Sequence, residues 1–153
     1  MQTLLANLAS VAHQQAIVDL LDMYSGDRFG DCQPLGEEAR KNLIPGLIEH
    51  GARAFLAFDS EQAVGLAICF KGFSSFRGHT LLNVHDIAVV PDYRGKGVGK
   101  ALLEAIEQEA RRMGGCKLTL EVRSDNRLAQ GLYERVGFHP SQPQTWFWSK
   151  DLS

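Results

Sequence analysis

The strongest structural signals in this chain lie in one segment, Asn83-Val-His-Asp-Ile-Ala-Val-Val-Pro-Asp-Tyr-Arg-Gly-Lys-Gly-Val-Gly-Lys-Ala-Leu-Leu103. Residues 81–90 are rich in Val, Ile and Leu and predict a β-strand. Pro91 ends that strand, because proline has no N–H to donate to a strand ladder. From Val98 onward, apolar residues recur at helical spacing, at positions 98, 102, 105, 106, 110 and 113. The intervening glycines therefore lie on a turn between a strand and a helix.

The glycine-rich turn predicts a pyrophosphate site over residues 94–100. Glycine allows unusual φ angles and removes side chains where a ligand must approach the backbone. The start of a helix adds N–H groups without partners and a positive dipole end. The spacing does not fit the P-loop, and the third glycine of the dinucleotide-binding fingerprint is missing. The site residues expected here are Arg94, Gly95, Lys96, Gly97, Val98, Gly99 and Lys100.

The whole chain predicts alternating strands and helices that form a mixed α/β sheet with helices on both faces. We expect one domain, residues 1–153. Pro45-Gly46 predicts a kink or break near Leu43 in the second helix. In chain order we expect a first strand near Leu4, helices from Ser10 and from Glu37, strands 53–58, 63–72 and 81–90, a helix from Val98, strand 117–122, helix 128–136 and a final strand 145–152, with a polar and aromatic loop at 73–79.

Composition excludes several classes of function. A net charge of −2 gives no general electrostatic reason to expect nucleic acid as a partner. The 3 cysteines are widely separated, and the histidines lack ligand spacing, so we expect neither a disulfide framework nor a metal site. There is no signal-peptide pattern, and no apolar run approaches the ~20 residues of a membrane span. We therefore expect a cytoplasmic protein without a membrane partner.

The segment around the glycine-rich turn resembles the coenzyme A motif Arg/Gln-x-x-Gly-x-Gly/Ala of the GNAT acetyltransferase superfamily. The resemblance continues at residues 120–122, at Asn126 and in Ala129-x-x-Leu-Tyr-Glu-Arg-Val-Gly-Phe138. The central segment is also somewhat like that of diamine (spermidine/spermine) acetyltransferases, although His85 stands where those enzymes have a carboxylate. The resemblance implies an α/β GNAT-type fold, with a mixed, mostly antiparallel sheet of six to seven strands that splays at its central strands.

The same resemblance implies an acetyl-CoA-dependent N-acetyltransferase. We expect direct transfer of the acetyl group, in a ternary complex, to a primary amine of a small molecule such as a polyamine, an aminoglycoside or an amino acid. Two alternatives stay open: a catalytically silent acyl-CoA-binding domain, and a protein N-acetyltransferase. Many relatives pair through their sheets or C-terminal strands, so a homodimer is a further expectation.

By resemblance, the backbone of Ile87, Ala88 and Val89 would hold the pantetheine arm of acetyl-CoA, and the N–H of Val89 would face the acetyl carbonyl. Asn126 matches a residue that contacts the same arm, although asparagine also simply caps helices.

Tyr133 matches the general acid of the superfamily, and its alternative role is that of a packed aromatic residue. His85 resembles the position of a general base, and its alternative role is that of a core histidine with a backbone partner. Strand alternation places Asn83 and His85 on one side and Asp86 on the other, unless a bulge intervenes. Candidate substrate residues, chosen by position, are Tyr24, Asn83 and Asp86.

Overall fold

The computed structural model describes residues 1–153 and shows a five-stranded sheet with helices on both faces. Strands β1 to β4 are antiparallel neighbours in chain order, and β5 lies parallel to β4. The elements are β1 (Gln2–Leu5), α1 (Val11–Ser25), α2 (Glu37–Glu49), β2 (Arg53–Asp59), β3 (Gln62–Ser74), β4 (His79–Val89), a 3-10 helix (Pro91–Tyr93), α3 (Val98–Arg112), β5 (Leu118–Leu120) and α4 (Arg127–Arg135).

Local signals set the helix ends where the sequence predicts them. Ser10 precedes α1 and its hydroxyl accepts a hydrogen bond from the backbone N–H of His13 at 3.4 Å. Gly114 follows α3 with φ of 72°, and Gly137 follows α4 with φ of 100°. Both angles lie in the left-handed region that glycine adopts most easily, and this conformation ends a helix.

The sheet separates two hydrophobic cores. Helices α1 and α2 cover one face, where Ile17 and Leu47 are buried against the sheet. Helices α3 and α4 cover the other face, where Leu102 and Tyr133 are buried. Alternate residues of β2 contribute to opposite cores, as the two-residue period of a strand requires, so that Phe55 joins one core and its neighbour joins the other.

Two glycines allow close packing around the start of α3. A Cβ added at Gly65 in β3 would lie 2.7 Å from a methyl carbon of Val98, so α3 rests directly on the strand backbone. A Cβ added at Gly99 would lie 2.8 Å from a methyl carbon of Leu132 in α4. These contacts hold the first turn of α3 against the sheet and hold α4, which carries Tyr133, against that turn.

Three predicted features of the fold are wrong. Of the kink or break predicted near Leu43, the break is wrong, because helix α2 continues through Pro45. Pro45 and Lys41, whose carbonyl loses its helical N–H partner, are both exposed, so water can solvate the freed carbonyl. The predicted loop at 73–79 is shorter than expected, because β3 extends to Ser74 and β4 begins at His79, which leaves only residues 75–78 as a turn.

The third error is the final strand. Residues 145–152 form no strand, and Trp146, Phe147 and Trp148 are 78%, 76% and 87% exposed. The sheet therefore has five strands rather than six or seven. A strand exists only where a neighbouring strand completes its ladder, and the edge strand β5 pairs on one side only, with β4.

An ion-pair network joins the last turns of α3 to the start of β2. Glu109 is almost fully buried and accepts two hydrogen bonds from Arg112, at 2.7 Å from Nε and 2.6 Å from Nη2. Arg53 of β2 lies 3.4 Å from the same carboxylate. The hydrogen bonds from Arg112 hold the pKa of Glu109 below its usual value.

We expect Glu109→Gln to lower the free energy of unfolding by about 1–3 kcal/mol at pH 7, the usual value of hydrogen bonds to charged groups. A carboxylate with a lowered pKa contributes stability above its ordinary pKa of 4.5 and loses it as the pH falls through the folded value. The difference in free energy of unfolding between wild type and variant, measured by urea denaturation, should therefore narrow as the pH falls below 4.5.

Glu107→Gln is the matched control, because Glu107 forms an exposed pair with Arg111 one turn away on the same helix. Its loss should change the free energy of unfolding by no more than about 0.5 kcal/mol. Equal losses in the two variants would contradict a structural role for the buried pair.

Candidate functional site

The central feature of the site is a gap between β4 and β5. The two strands pair only at Leu82–Val84 with Leu118–Leu120, whereas β4 continues to Val89. On its other side β4 stays paired with β3, and the N–H of Val90 donates to the carbonyl of Val64 at 2.9 Å. Antiparallel pairing alternates the direction of backbone groups, so those of Ile87 and Val89 face away from β3 and into the gap. The splayed central strands are thus present.

The glycine-rich turn lies at the end of this gap. Gly95 and Gly97 have φ of 73° and 87°, and nothing lies within 4 Å of a Cβ added at either position. Helix α3 starts at Val98 without a side-chain cap, so the N–H groups of its first turn have no helical or capping acceptor. An open backbone with unpaired N–H donors is the chemistry that a phosphate group requires.

The three cations of the turn already have partners. The Lys100 ammonium lies 3.6 Å from Glu104, and the Lys96 ammonium lies 5.5 Å from the centre of the Tyr93 ring. Arg94 donates from Nε to the Val89 carbonyl at 3.1 Å. The backbone N–H groups are therefore the donors that stand ready for a ligand.

Tyr133 lies on α4, on the face of the sheet that α3 also covers. Its ring is buried and meets Phe138 edge-on, with ring centres 5.9 Å apart. Every buried side-chain nitrogen or oxygen in the protein has a hydrogen-bond partner, and the Tyr133 hydroxyl has none, so this oxygen is accessible to solvent. Burial of the residue, followed by the nearby Tyr24, raises its pKa to about 12.

A β-bulge places two polar residues on the same face of β4. Ile68 of β3 pairs with Asp86 and Cys69 pairs with Val84, so His85 is the extra residue between them. A bulge of this kind breaks strand alternation. The His85 ring is exposed and packs edge-on against Phe70, at 5.3 Å between ring centres. Asp86, expected on the opposite side without a bulge, lines a cavity on that same face.

This cavity has a volume of about 410 Å³ and lies between α1, the loop that follows it, and β4. Its lining residues are Leu21, Tyr24, Ser25, Gly30, Asp31, Leu35 and Asp86. Burial raises the pKa of Asp86, and the neighbouring His85 acts in the opposite direction. Burial also raises the pKa of Tyr24, with further contributions from Asp86 and Asp27. The cavity is therefore acidic, partly apolar, and adjacent to the gap.

Comparison with known proteins identifies the family. The sequence model of the acetyltransferase (GNAT) family matches residues 17–138. The chain belongs to this family. It is 34% identical over 86 residues to N-alpha-acetyltransferase 30 of Schizosaccharomyces pombe, which is 56% of both chains. It is 48% identical over 60 residues to the [ribosomal protein bS18]-alanine N-acetyltransferase of Escherichia coli K12, which is 39% of this chain and 38% of that protein. The chain thus spans about half or less of these curated relatives.

Solved structures show the same GNAT fold over the full chain. A probable acetyltransferase superposes with a TM-score of 0.84 at 24% identity, covering 100% of this chain and 99% of that one. The aminoglycoside 6'-N-acetyltransferase AAC(6')-IG of Acinetobacter haemolyticus superposes with a TM-score of 0.76 at 19% identity, covering 100% of both. These likenesses show the fold, and the predicted fold class is confirmed apart from the number of strands.

Two further predicted site residues of the GNAT chain, Asn126 and Asn83, form side-chain hydrogen bonds within the protein. The Asn126 side chain caps α4 by accepting from the N–H of Ala129 at 3.2 Å. The Asn83 amide donates to the Thr119 hydroxyl at 2.9 Å and so ties β4 to β5 where the two strands still pair. Ala88 is buried in β4. The structure therefore brings Tyr24 and Asp86 together at the cavity, and it places Asn83 in the part of β4 that still pairs with β5.

Sequence patterns did not reveal several residues around the site. Leu21 and Leu35 line the cavity, and Arg123 reaches the loop between α1 and α2, where it donates to the Arg28 carbonyl at 3.4 Å. Leu21 lies one helical turn before Tyr24, and this spacing was the sequence signal that could have identified Leu21 as a cavity residue. Arg123 lies outside any regular element, and its sequence neighbours carry no pattern that points to this contact.

Nowhere do three or more His, Cys, Asp or Glu side chains gather in a way that could hold a metal ion. None of the helices combines the length and apolar character needed to cross a membrane.

We expect Asp86→Asn to raise the melting temperature at pH 7. The folded protein raises the pKa of Asp86, so the ionised carboxylate destabilises the fold above that pKa, whereas below the ordinary value of 3.8 the carboxyl is neutral in both states. The gain should therefore vanish as the pH falls below that value. Calorimetry of both proteins across the pH range measures this difference.

Asp27→Asn is the matched comparison, because its effect on the melting temperature at pH 7 should be opposite to that of Asp86→Asn. The hydrogen bond from Arg94 lowers the pKa of Asp27, so loss of its charge should reduce the melting temperature at pH 7. A decrease for Asp86→Asn as well would show that the Asp86 carboxylate stabilises the fold.

Proposed function

We propose that this protein is an acetyl-CoA-dependent N-acetyltransferase that transfers the acetyl group directly to a primary amine in a ternary complex. The observation that carries the proposal is the gap between β4 and β5, which is bordered by unpaired backbone of β4 and by the uncapped start of α3. Acetyl-CoA, when bound, supplies the acetyl group as a thioester.

The backbone supplies the cofactor site in this proposal. The N–H groups of residues 96–100 would bind the diphosphate, because left-handed glycines leave the turn open and the helix dipole favours an anion. Ile87 and Val89 would pair with the amides of the pantetheine arm as a neighbouring strand would, with Ala88 and the amide of Asn126 alongside. The N–H of Val89 would stabilise negative charge on the acetyl oxygen.

Tyr133 is proposed as the proton donor. With a pKa of about 12 the hydroxyl stays protonated at neutral pH, so it can act as an acid and not as a base. As the amine nitrogen bonds to the acetyl carbon and the carbon–sulfur bond breaks, the hydroxyl would give its proton to the departing sulfur and would then regain a proton from solvent. The proton released by the amine passes to His85, directly or through water, and then to solvent.

The cavity beside β4 is proposed as the acceptor site. Its volume of about 410 Å³ suits a small ligand or the end of a larger one. Asp86 and Asp31 offer negative charge to an ammonium group, while Leu21 and Leu35 offer apolar surface. Tyr24 lines this cavity together with Asp86, and it contributes to the raised pKa of Tyr133. A primary amine with a short apolar portion fits this chemistry.

A second candidate acceptor is the N-terminal amine of a protein. The two curated relatives described above are named for acetylation of protein amino groups. The same acidic cavity would suit the α-amine and first side chain of a peptide, with the rest of the peptide outside. This candidate differs from the first only in what lies beyond the amine.

The test is release of the coenzyme A thiol from acetyl-CoA in the presence of polyamines, aminoglycosides, amino acids and short peptides. Each peptide is paired with its N-acetylated form, which has no free α-amine. Activity with free peptides alone would support the second candidate, and activity with one small amine would support the first. Silence across the panel, with acetyl-CoA still raising the melting temperature, would favour a silent acyl-CoA-binding domain.

We expect Gly97→Ala to reduce coenzyme A affinity by about tenfold or more, equivalent to about 1.4 kcal/mol. A side chain at this left-handed position forces the backbone to change and covers the approach to the α3 N–H groups. Isothermal titration calorimetry measures the affinity.

The control for Gly97→Ala is Gly114→Ala, which places a side chain on a glycine of φ 72° in open space at the other end of α3. Both variants should lose about 1–2 kcal/mol of stability from the left-handed backbone. Only Gly97→Ala should lose coenzyme A binding. If this variant keeps the affinity of wild type, the turn is not part of the cofactor site.

We expect Tyr133→Phe to lower kcat by about 100-fold while leaving the coenzyme A dissociation constant unchanged, because a general acid typically contributes 10²–10⁴-fold. The ring and its contact with Phe138 are kept, so packing is preserved. Tyr93→Phe is the matched loss of a tyrosine hydroxyl, which bonds Asp59 on the surface. Equal rates for wild type and Tyr133→Phe would leave Tyr133 with a packing role only.

A further inference from the structure

Three residues of the loop between α1 and α2 connect the two sides of the gap. We call these residues, Asp27, Arg28 and Phe29, the strap. On the β4 side, the Asp27 carboxylate lies 2.7 Å from Nη2 of Arg94, which also donates from Nε to the Val89 carbonyl at 3.1 Å. The first residue of the glycine-rich turn is thus bonded at once to the end of β4 and to the strap.

On the other side, Arg123 holds the strap from the segment between β5 and α4. Arg123 donates from Nη1 to the Arg28 carbonyl at 3.4 Å, and its guanidinium carbon lies 5.6 Å from the centre of the Phe29 ring. Asp125 orients Arg123 through hydrogen bonds of 3.0 and 2.9 Å. The strap therefore spans from the wall formed by β4 to the wall formed by β5 and α4.

The strap also continues directly into the acceptor cavity. Gly30 and Asp31, which follow it, line that cavity together with Asp86. The strap is tied to this segment, because the Gly30 N–H donates to the Asp27 carbonyl at 3.0 Å. A change at Asp27 is therefore passed to the wall of the cavity.

We propose that Asp27 is a positioning residue that competes with the diphosphate of the cofactor for Arg94. This inference rests on the proposed function, because it takes the glycine-rich turn as the diphosphate site. In the free protein Asp27 neutralises Arg94 and closes the strap. A bound diphosphate carries more negative charge than one carboxylate and offers the guanidinium paired oxygens. Arg94 then turns to the diphosphate, the strap is released at one end, and the cavity opens to the amine.

This competition couples the two substrates. Because a bound diphosphate and the Asp27 carboxylate are two anions that repel each other beside one guanidinium, cofactor binding and strap closure oppose each other, and each weakens the other by the same factor. Cofactor binding therefore promotes amine binding, and amine binding promotes cofactor binding by the same factor. The coupling depends on the second carboxylate oxygen of Asp27 alone, since the first accepts from the Phe29 N–H at 3.1 Å and shapes the turn.

Asp27→Asn separates these two roles. The asparagine carbonyl oxygen can still accept from the Phe29 N–H, whereas its NH₂ group cannot accept from Arg94. We expect coenzyme A to bind this variant about three- to tenfold more tightly than wild type by isothermal titration calorimetry, a gain of about 0.7–1.4 kcal/mol. Asp27→Glu restores the carboxylate and should return the affinity toward that of wild type.

Hydrogen exchange tests the release of the strap independently. In wild type, coenzyme A should speed exchange of the Phe29, Gly30 and Asp31 amides, and in Asp27→Asn these amides should exchange rapidly without it. Glu107→Gln, which removes an exposed pair on α3, should match wild type in both measurements. Pantetheine, which lacks the diphosphate, should not speed exchange.

Two results would overturn the inference while leaving the proposed function intact. One is a coenzyme A affinity of Asp27→Asn that equals or falls below that of wild type. The other is slower exchange of the strap when coenzyme A binds wild type. If wild type binds no coenzyme A, the proposed function and this inference fail together.

Discussion

The site depends on the unequal pairing of β4. One side of this strand is bonded to β3 up to Val89, while the other side has a partner only up to Val84. A backbone that is rigidly held on one side and open on the other can hold a ligand as an additional strand without losing its own position. Because β5 runs parallel to β4, the two strands leave their pairing in the same direction, and the loops after both strands border the same opening.

Close packing at glycines brings the other parts of the site to this opening. Gly65 lets α3 rest on the sheet, and Gly99 lets α4 approach the first turn of α3. The first contact places the unpaired N–H groups of α3 at the end of β4, and the second places Tyr133 beside them. Larger residues would push either helix outward, so these glycines set the geometry of the site.

The ionisable groups of the site are held in different environments. Asp86 and Tyr133 have raised pKa values because burial disfavours their charged forms, whereas the pKa of Asp27 is lowered by its hydrogen bond with Arg94. A buried carboxylate without a paired cation destabilises the fold, and such groups are characteristic of functional sites. The contrast distinguishes the two aspartates: Asp27 is paired with a cation of the protein, whereas Asp86 lines the cavity without an ion pair.

Much of the fold could be predicted from the sequence because its signals are local. The strand–glycine–helix pattern around Arg94 and Gly97 carries its geometry within a few residues, and so do Ser10 at the start of α1 and Gly137 at the end of α4. The final strand was predicted wrongly from equally local features, since Trp146 and its neighbours favour a strand but have no neighbouring strand to pair with.

The sequence by itself determined the family, the order of the elements up to α4, the glycine-rich turn and the candidate role of Tyr133. Only the tertiary structure decided that a bulge at His85 places Asp86 in the cavity, and that Asp27, Phe29 and Arg123 meet across the gap. These features depend on the register between strands and on contacts between residues far apart in the chain. Neither can be derived from the spacing of residues along one segment, because each is set by how separate elements pack.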